Sequence, residues 1–272
     1  MDQIYQPSSD VHVLPVTMPM GPEGVLTVNA FMLTAQEPVL VDTGIGQCGD
    51  ELLEAVDSVV GLANLRWLWL THDDADHTGA VQRVMDAAPQ VRLVTHAFSA
   101  MRMSTWWPVP LDRVHAIRPG DRLHVGDRTL RAVAPPLYDS PMSIGVLDES
   151  TGSLFSVDSF GAVLPAATQD AGEVPHDALA GGMLAWSAMD SPWSSMLDRA
   201  KFGEVLDGVR RLEPSRIFSS HLPAASGTSL EQFLEVLASV PDATPVPAPS
   251  HTEFTAMIEG MQSELEVASS AG

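Results

Sequence analysis

Apolar positions along the first third of the chain switch between two periods. Residues 11–18 and 25–35 are rich in apolar and β-branched side chains, and Gly21-Pro22-Glu23-Gly24 separates them. That pattern predicts two antiparallel strands joined by a turn. Pro38-Val39-Leu40-Val41 is apolar throughout, as a strand covered on both faces is, and it ends in Asp42-Thr43-Gly44. Leu52, Leu53, Val56, Val59 and Val60 then recur at helical spacing over 50–61. The run Leu65-Arg66-Trp67-Leu68-Trp69-Leu70 predicts another strand. A helix is expected from about 78 to 88 on Ala80, Val81, Val84 and Ala88, closed by Pro89, and Val91–Val94 predicts a further strand. Strands alternating with helices in this order predict an α/β layered fold.

From 113 to 160 the pattern becomes short strands between turns, at Pro119-Gly120-Asp121, Val125-Gly126-Asp127 and Asp148–Gly152, which predicts a run of hairpins. Residues 97–112 read as loop and 175–212 as mostly helical, broken at Pro192. Arg216-Ile217-Phe218-Ser219-Ser220 is a last strand running into His221, followed by a helix at about 228–239. Four prolines between 241 and 249 predict a linker. Ser250-His251-Thr252-Glu253 matches a capping box opening a final amphipathic helix, with fraying expected over 268–272. The expected organisation is one domain over 1–240, then a Pro-rich linker and C-terminal helix over 241–272.

Charge narrows the partners. Fourteen basic against 35 acidic residues give a net charge of −21, which disfavours nucleic acid and anionic membrane surfaces. The single cysteine, Cys48, excludes an intrachain disulfide framework. Met1–Tyr5 lacks the basic and apolar signature of a signal peptide, and no apolar run reaches membrane-spanning length. A cytoplasmic location is the expectation.

The candidate chemistry is concentrated in Thr71-His72-Asp73-Asp74-Ala75-Asp76-His77-Thr78-Gly79. Two histidines and three aspartates fall within six residues, between a strand and a helix. Such a cluster repels itself unless a cation compensates it, and carboxylate and neutral imidazole are the ligands of hard and borderline divalent metals. Other strand ends carry matching groups. Tyr138-Asp139-Ser140-Pro141-Met142-Ser143 precedes one strand, Asp158 ends Leu154-Phe155-Ser156-Val157, and His221 ends the last.

These motifs, in this order, resemble the metallo-β-lactamase superfamily. The markers are Val41-Asp42-Thr43-Gly44, the His72-to-His77 loop, residues 139–143 in place of a His-x-Pro-Gly-Ser motif, the strand into Asp158, and Ser219-Ser220-His221. The resemblance covers roughly 11–240 and implies a four-layer αββα sandwich with a two-metal site at the sheet edge. It implies His72, Asp74 and Asp139 on one metal and Asp76, His77 and His221 on the other. Asp158 bridges them, and Asp42 orients ligands from behind. Asp76 and Asp158 are the expected catalytic residues. Asp73 has no ligand role and is expected to face solvent or cap the helix. Tyr138 is the alternative occupant of Asp139's place.

Two departures matter. The superfamily loop is His-x-His-x-Asp-His, and Asp74 stands at its second histidine; Asp139 stands at another. Four carboxylates and three imidazoles favour two divalent ions of iron, with manganese or zinc as alternatives. A carboxylate at position 74 resembles the flavodiiron proteins. That likeness implies a diiron redox enzyme acting on dioxygen, nitric oxide or an organic substrate. Residues 241–272 are too short for a flavin domain, so electrons are expected from a donor protein. The alternatives are a hydrolase of an ester, lactone, amide or phosphodiester acting through a bridging hydroxide, and a degenerate metal-binding protein. The other expected partners are a small-molecule substrate and a second copy in a homodimer.

Overall fold

The computed structural model describes residues 1–270 apart from Pro245, with side chains described to residue 260. The expected fraying at 268–272 lies outside the described side chains.

Two sheets form the centre. In the first, β1 (Tyr5–Ser8), β2 (Val11–Pro19), β3 (Val25–Leu33) and β4 (Val39–Val41) run antiparallel. After α1 (Gly49–Val60), β5 (Trp67–Trp69) adds to β4 in parallel. The chain then forms a single helical turn, α2 (Ala75–Thr78), and α3 (Val81–Ala87). Next, β6 (Arg92–Thr95) extends the sheet, and after α4 (Ala97–Met103) β7 (Val114–Ala116) closes it, both in parallel. The second sheet begins with β8 (Arg122–His124), β9 (Thr129–Val133), β10 (Gly145–Asp148) and β11 (Ser153–Phe155), all antiparallel. After α5 (His176–Asp190) and α6 (Arg199–Arg210), β12 (Arg216–Phe218) joins β11 in parallel and β13 (Ala225–Ser226) forms the edge. Then come α7 (Leu230–Ser239) and α8 (His251–Ser270).

Side-chain alternation assigns the layers. Leu40, Leu68 and Leu93 face α1 and α3, while Val41, Trp69 and Val94 face the second sheet. On that sheet Val146, Phe155 and Phe218 face inward, and Leu147, Leu154 and Ile217 pack under α5, α6 and α7. Period-two strands with both faces apolar therefore sit between two helical layers, the expected αββα sandwich. Phe31, Phe155 and Phe218 meet at the midplane, with ring centroids 5.0 to 5.7 Å apart.

Three expectations change. The helix placed over 78–88 is α2 and α3, interrupted at Gly79-Ala80, because Gly79 packs against the backbone of Gly44–Gly46. Part of the loop expected over 97–112 is α4, whose first turn is capped by His96 Nδ1 accepting from Phe98 N. The hairpin run begins only at β8, since β7 belongs to the first sheet. The capping box is formed as expected: Ser250 N donates to Glu253 Oε2, and Glu253 N to Ser250 Oγ. Among the described residues no helix is long and apolar enough to cross a membrane.

Candidate metal centre

Strand ends and inter-strand connections from both sheets converge on one rim. β4 leads into Asp42, β5 into His72–His77, β11 into Asp158 and β12 into His221, and the β9–β10 connection carries Asp139. The backbone is shaped for this. Asp42 stands at φ +59° and Val157 at φ +58°. For a β-branched residue that conformation costs about 1–3 kcal/mol. Ser220 N and Ser219 Oγ, both donating to Val157 O, hold it beside Asp158. The Asp139 loop is tied to the His72 loop by Ile144 N donating to Thr71 O, 2.8 Å.

All seven expected residues meet here. Three sets of side chains have ligand atoms within 4.8 Å of one another: His72, Asp74 and Asp139; Asp76, His77 and His221; and His72, His77 and Asp158. Asp158 lies between the first two sets. Its Oδ2 is 3.4 Å from His72 Nε2, and its Oδ1 is 3.1 Å from Nε2 of both His77 and His221. The imidazoles and Asp158 are buried, while Asp76 and Asp139 are 35% and 27% exposed and form the mouth.

Each imidazole is oriented by its other nitrogen. His77 Nδ1 lies 2.9 Å from Asp42 Oδ2, His221 Nδ1 3.0 Å from Thr27 O, and His72 Nδ1 3.2 Å from Thr71 Oγ1. Nδ1–H facing an acceptor leaves the Nε2 lone pair for the cluster, the usual device behind a metal-binding histidine. Asp42 is completely buried and also accepts from Thr71 N and Thr71 Oγ1.

Without a cation the cluster is under-satisfied. Asp158 Oδ1, although 3.1 Å from two imidazole nitrogens, has hydrogen-bond geometry with neither, and Asp139 Oδ1 also has no partner. Buried polar atoms are normally paired. Converging lone pairs with an unpaired carboxylate between them fit a pair of divalent cations. The protonation preferences reflect the same crowding. Burial, then the charges of Asp158 and Asp74, push Asp139 up to about 7. Burial opposes protonation of His77, but Asp158 and Asp42 outweigh it and hold it well above the usual imidazole range. Burial also resists ionisation of Asp158, yet His72 and His77 keep it well below the carboxylate range.

A family model described as ODP family beta lactamase matches residues 26–221, from β3 to His221. The chain belongs to this family. A putative diflavin flavoprotein A 1 of Thermosynechococcus vestitus is 31% identical over 141 residues, 52% of this chain and 24% of that protein. The flavo-diiron protein FprA2 of Clostridium acetobutylicum is 25% identical over 134 residues, 49% of this chain and 34% of that protein. The chain thus spans at most about a third of these relatives' lengths within the matched region. Among solved structures, rubredoxin oxygen:oxidoreductase from Desulfovibrio gigas superposes with a TM-score of 0.77 at 20% identity, covering 90% of this chain and 63% of that one. That likeness establishes the metallo-β-lactamase fold.

In this ODP family chain three site neighbours differ from expectation. Asp73 neither faces solvent nor caps a helix. Its side chain is 3% exposed and paired with Arg102 Nε of α4 at 2.9 Å. Tyr138 does not take Asp139's place; its ring packs on Trp193 at 5.4 Å. Asp190, unmarked by any motif, faces the site from the end of α5. Burial and then the Asp158 charge push it up to about 7. Trp186, one turn earlier, donates from Nε1 to Asp158 O and packs its ring against His221, centroids 4.5 Å apart and planes tilted by 46°. Its spacing from Asp190 by four residues is the one local signal that links them.

Proposed function

We propose that the chain carries the two-iron centre of an oxidoreductase that reduces dioxygen or nitric oxide with electrons from a separate donor protein. The observation that carries this reading is the donor set. Four carboxylates and three imidazoles converge in two groups of three around Asp158. In this reading His72, Asp74 and Asp139 hold one iron, Asp76, His77 and His221 the other, and Asp158 both. Four carboxylate charges nearly balance two divalent cations, and oxygen-rich ligation favours iron over zinc. The names of relatives, flavo-diiron protein and rubredoxin oxygen:oxidoreductase, support the same class. Two ferrous ions there would supply two electrons to a diatomic substrate.

The remaining residues fit that substrate. A groove of about 440 Å³ lined by Met18, Leu26, Val28 and Ile45 reaches Asp76. Apolar walls admit a small uncharged molecule, and the carboxylates at the mouth repel a phosphodiester. Asp42 and Thr27 O fix the imidazoles, and Trp186 covers His221 from the helical side.

Metal analysis and optical spectra of protein purified without oxygen test the reading. About two irons per chain, with an absorption change on admitting oxygen, are expected. Two zinc ions together with esterase turnover would overturn it.

A further inference from the structure

The buried carboxylate of Asp73 sits between two residues of the proposed centre and yet points away from it. It accepts a hydrogen bond from Ser99 Oγ at 3.2 Å and forms an ion pair with Arg102 Nε at 2.9 Å, both from α4. That helix is a fixed support. Met103 at its end and Trp107 in the turn that follows are embedded in the core beneath the first sheet. Neither anchor involves Asp73, so the ion pair is not what attaches α4 to the domain.

What the pair does fix is the segment His72-Asp73-Asp74. Asp74 is extended, at φ −75° and ψ 157°. The Asp73 side chain reaches Arg102 of α4, while the side chains on either side of it, His72 and Asp74, meet at Asp139. Holding Asp73 toward α4 limits how far this short segment can rotate, and so keeps His72 and Asp74 on the side of Asp139. The His72 ring needs this more than its neighbours do, because its Nδ1 meets only the Thr71 hydroxyl at 3.2 Å. Arg102 also neutralises a carboxylate whose charge would otherwise add to the four in the cluster.

We propose that Arg102 is a positioning residue for the metal held by His72, Asp74 and Asp139, acting through Asp73. This rests on the two-metal reading of the centre. The test uses R102Q and R102K in the full chain. Arg102 is 55% exposed, so both variants are expected to fold. Lysine keeps the positive charge that neutralises Asp73, whereas glutamine removes it.

Cobalt(II) is titrated into metal-free protein and followed by its visible spectrum. R102Q is expected to weaken one of two equivalents by about 10- to 100-fold and leave the other within about twofold, and R102K to restore the first. In parallel, amide hydrogen exchange of residues 72–76 in metal-free protein is expected to quicken in R102Q and not in R102K. Equal weakening of both equivalents, or of neither, overturns the proposal. If the wild-type chain takes up no cobalt, the reading of the centre falls. The exchange measurement then decides Arg102 by itself, and unchanged exchange at 72–76 overturns its role.

Discussion

The hydrogen bonds around Asp42 make a prediction that separates metal binding from fold stability. Asp42 accepts three donors: Thr71 N at Oδ1, and Thr71 Oγ1 and His77 Nδ1 at Oδ2. In Asp42→Asn the backbone N–H of Thr71 cannot rotate away, so the amide oxygen stays at the Oδ1 position. The NH2 group then stands where Oδ2 was. The Thr71 hydroxyl can turn and accept, but His77 Nδ1 can accept only by giving up its proton. The imidazole adopts the other tautomer, and Nε2, 3.1 Å from Asp158 Oδ1, acquires a hydrogen. A protonated Nε2 offers a metal no lone pair. Loss of such an orienting partner weakens metal affinity by about 10- to 100-fold, or ~1.4–2.7 kcal/mol. The metal-free fold should change little. One charge-assisted hydrogen bond at His77 Nδ1, worth about 1.5–3 kcal/mol, is exchanged for a neutral one from the new amide NH2, worth about 0.5–1.5 kcal/mol. Cobalt(II) or iron(II) titration measures the first effect, chemical denaturation the second, and nitrogen NMR of His77 the tautomer. Affinity unchanged within about twofold, with Nε2 still unprotonated, would refute this reasoning.

Two other positions give sharp outcomes. A Cβ on Gly79 would lie 2.2 Å from Gly46 N, 2.5 Å from Gly44 O and 2.6 Å from Ile45 C. These backbone atoms cannot yield separately, so Gly79→Ala is expected to cost about 1–3 kcal/mol or more in urea unfolding; a variant of wild-type stability would contradict the close approach. Asp190, held at about 7 against an ordinary 3.8, binds its proton more tightly in the folded state. Its penalty therefore appears as pH rises from about 4 to about 7 and is complete above that, at most ~4.5 kcal/mol at about 1.4 kcal/mol per pH unit. Asp190→Asn should flatten the fall in melting temperature of metal-free protein over that range, and parallel wild-type and variant curves would rule this out.

Much of the fold was legible because this architecture covers its strands on both faces. Pro38–Val41 and Leu65–Leu70 are apolar runs for that reason, and they frame the site loop. The seven clustered residues were legible because strand-end motifs keep their order along the chain. α4 was not, since Phe98 and Met101 are 61% and 62% exposed and blur any single apolar face. Its cap is a histidine rather than the usual serine, threonine, aspartate or asparagine. The break at Gly79 depends on contact with Gly44–Gly46, more than 30 residues earlier, and local periodicity carries no trace of it. Asp73 was misread for the same reason. Its partner Arg102 is brought to it by a helix that the pattern does not reveal.

The orienting contacts also make the two halves of the centre unequal. On the side of Asp76, His77 and His221, the imidazoles are backed by a buried carboxylate and a strand carbonyl, Asp42 and Thr27 O. Both acceptors are fixed by the first sheet. On the side of His72, Asp74 and Asp139, the imidazole is backed by a rotatable hydroxyl, and Asp139 hangs on the long β9–β10 connection. That side instead borrows its rigidity from tethers: Ile144 N on Thr71 O, and Arg102 on Asp73. A carboxylate acceptor makes an imidazole a stronger donor than a hydroxyl does. The half next to Asp42 is thus the better preorganised, and the half carrying Asp74 and Asp139 is the one whose geometry depends on loops.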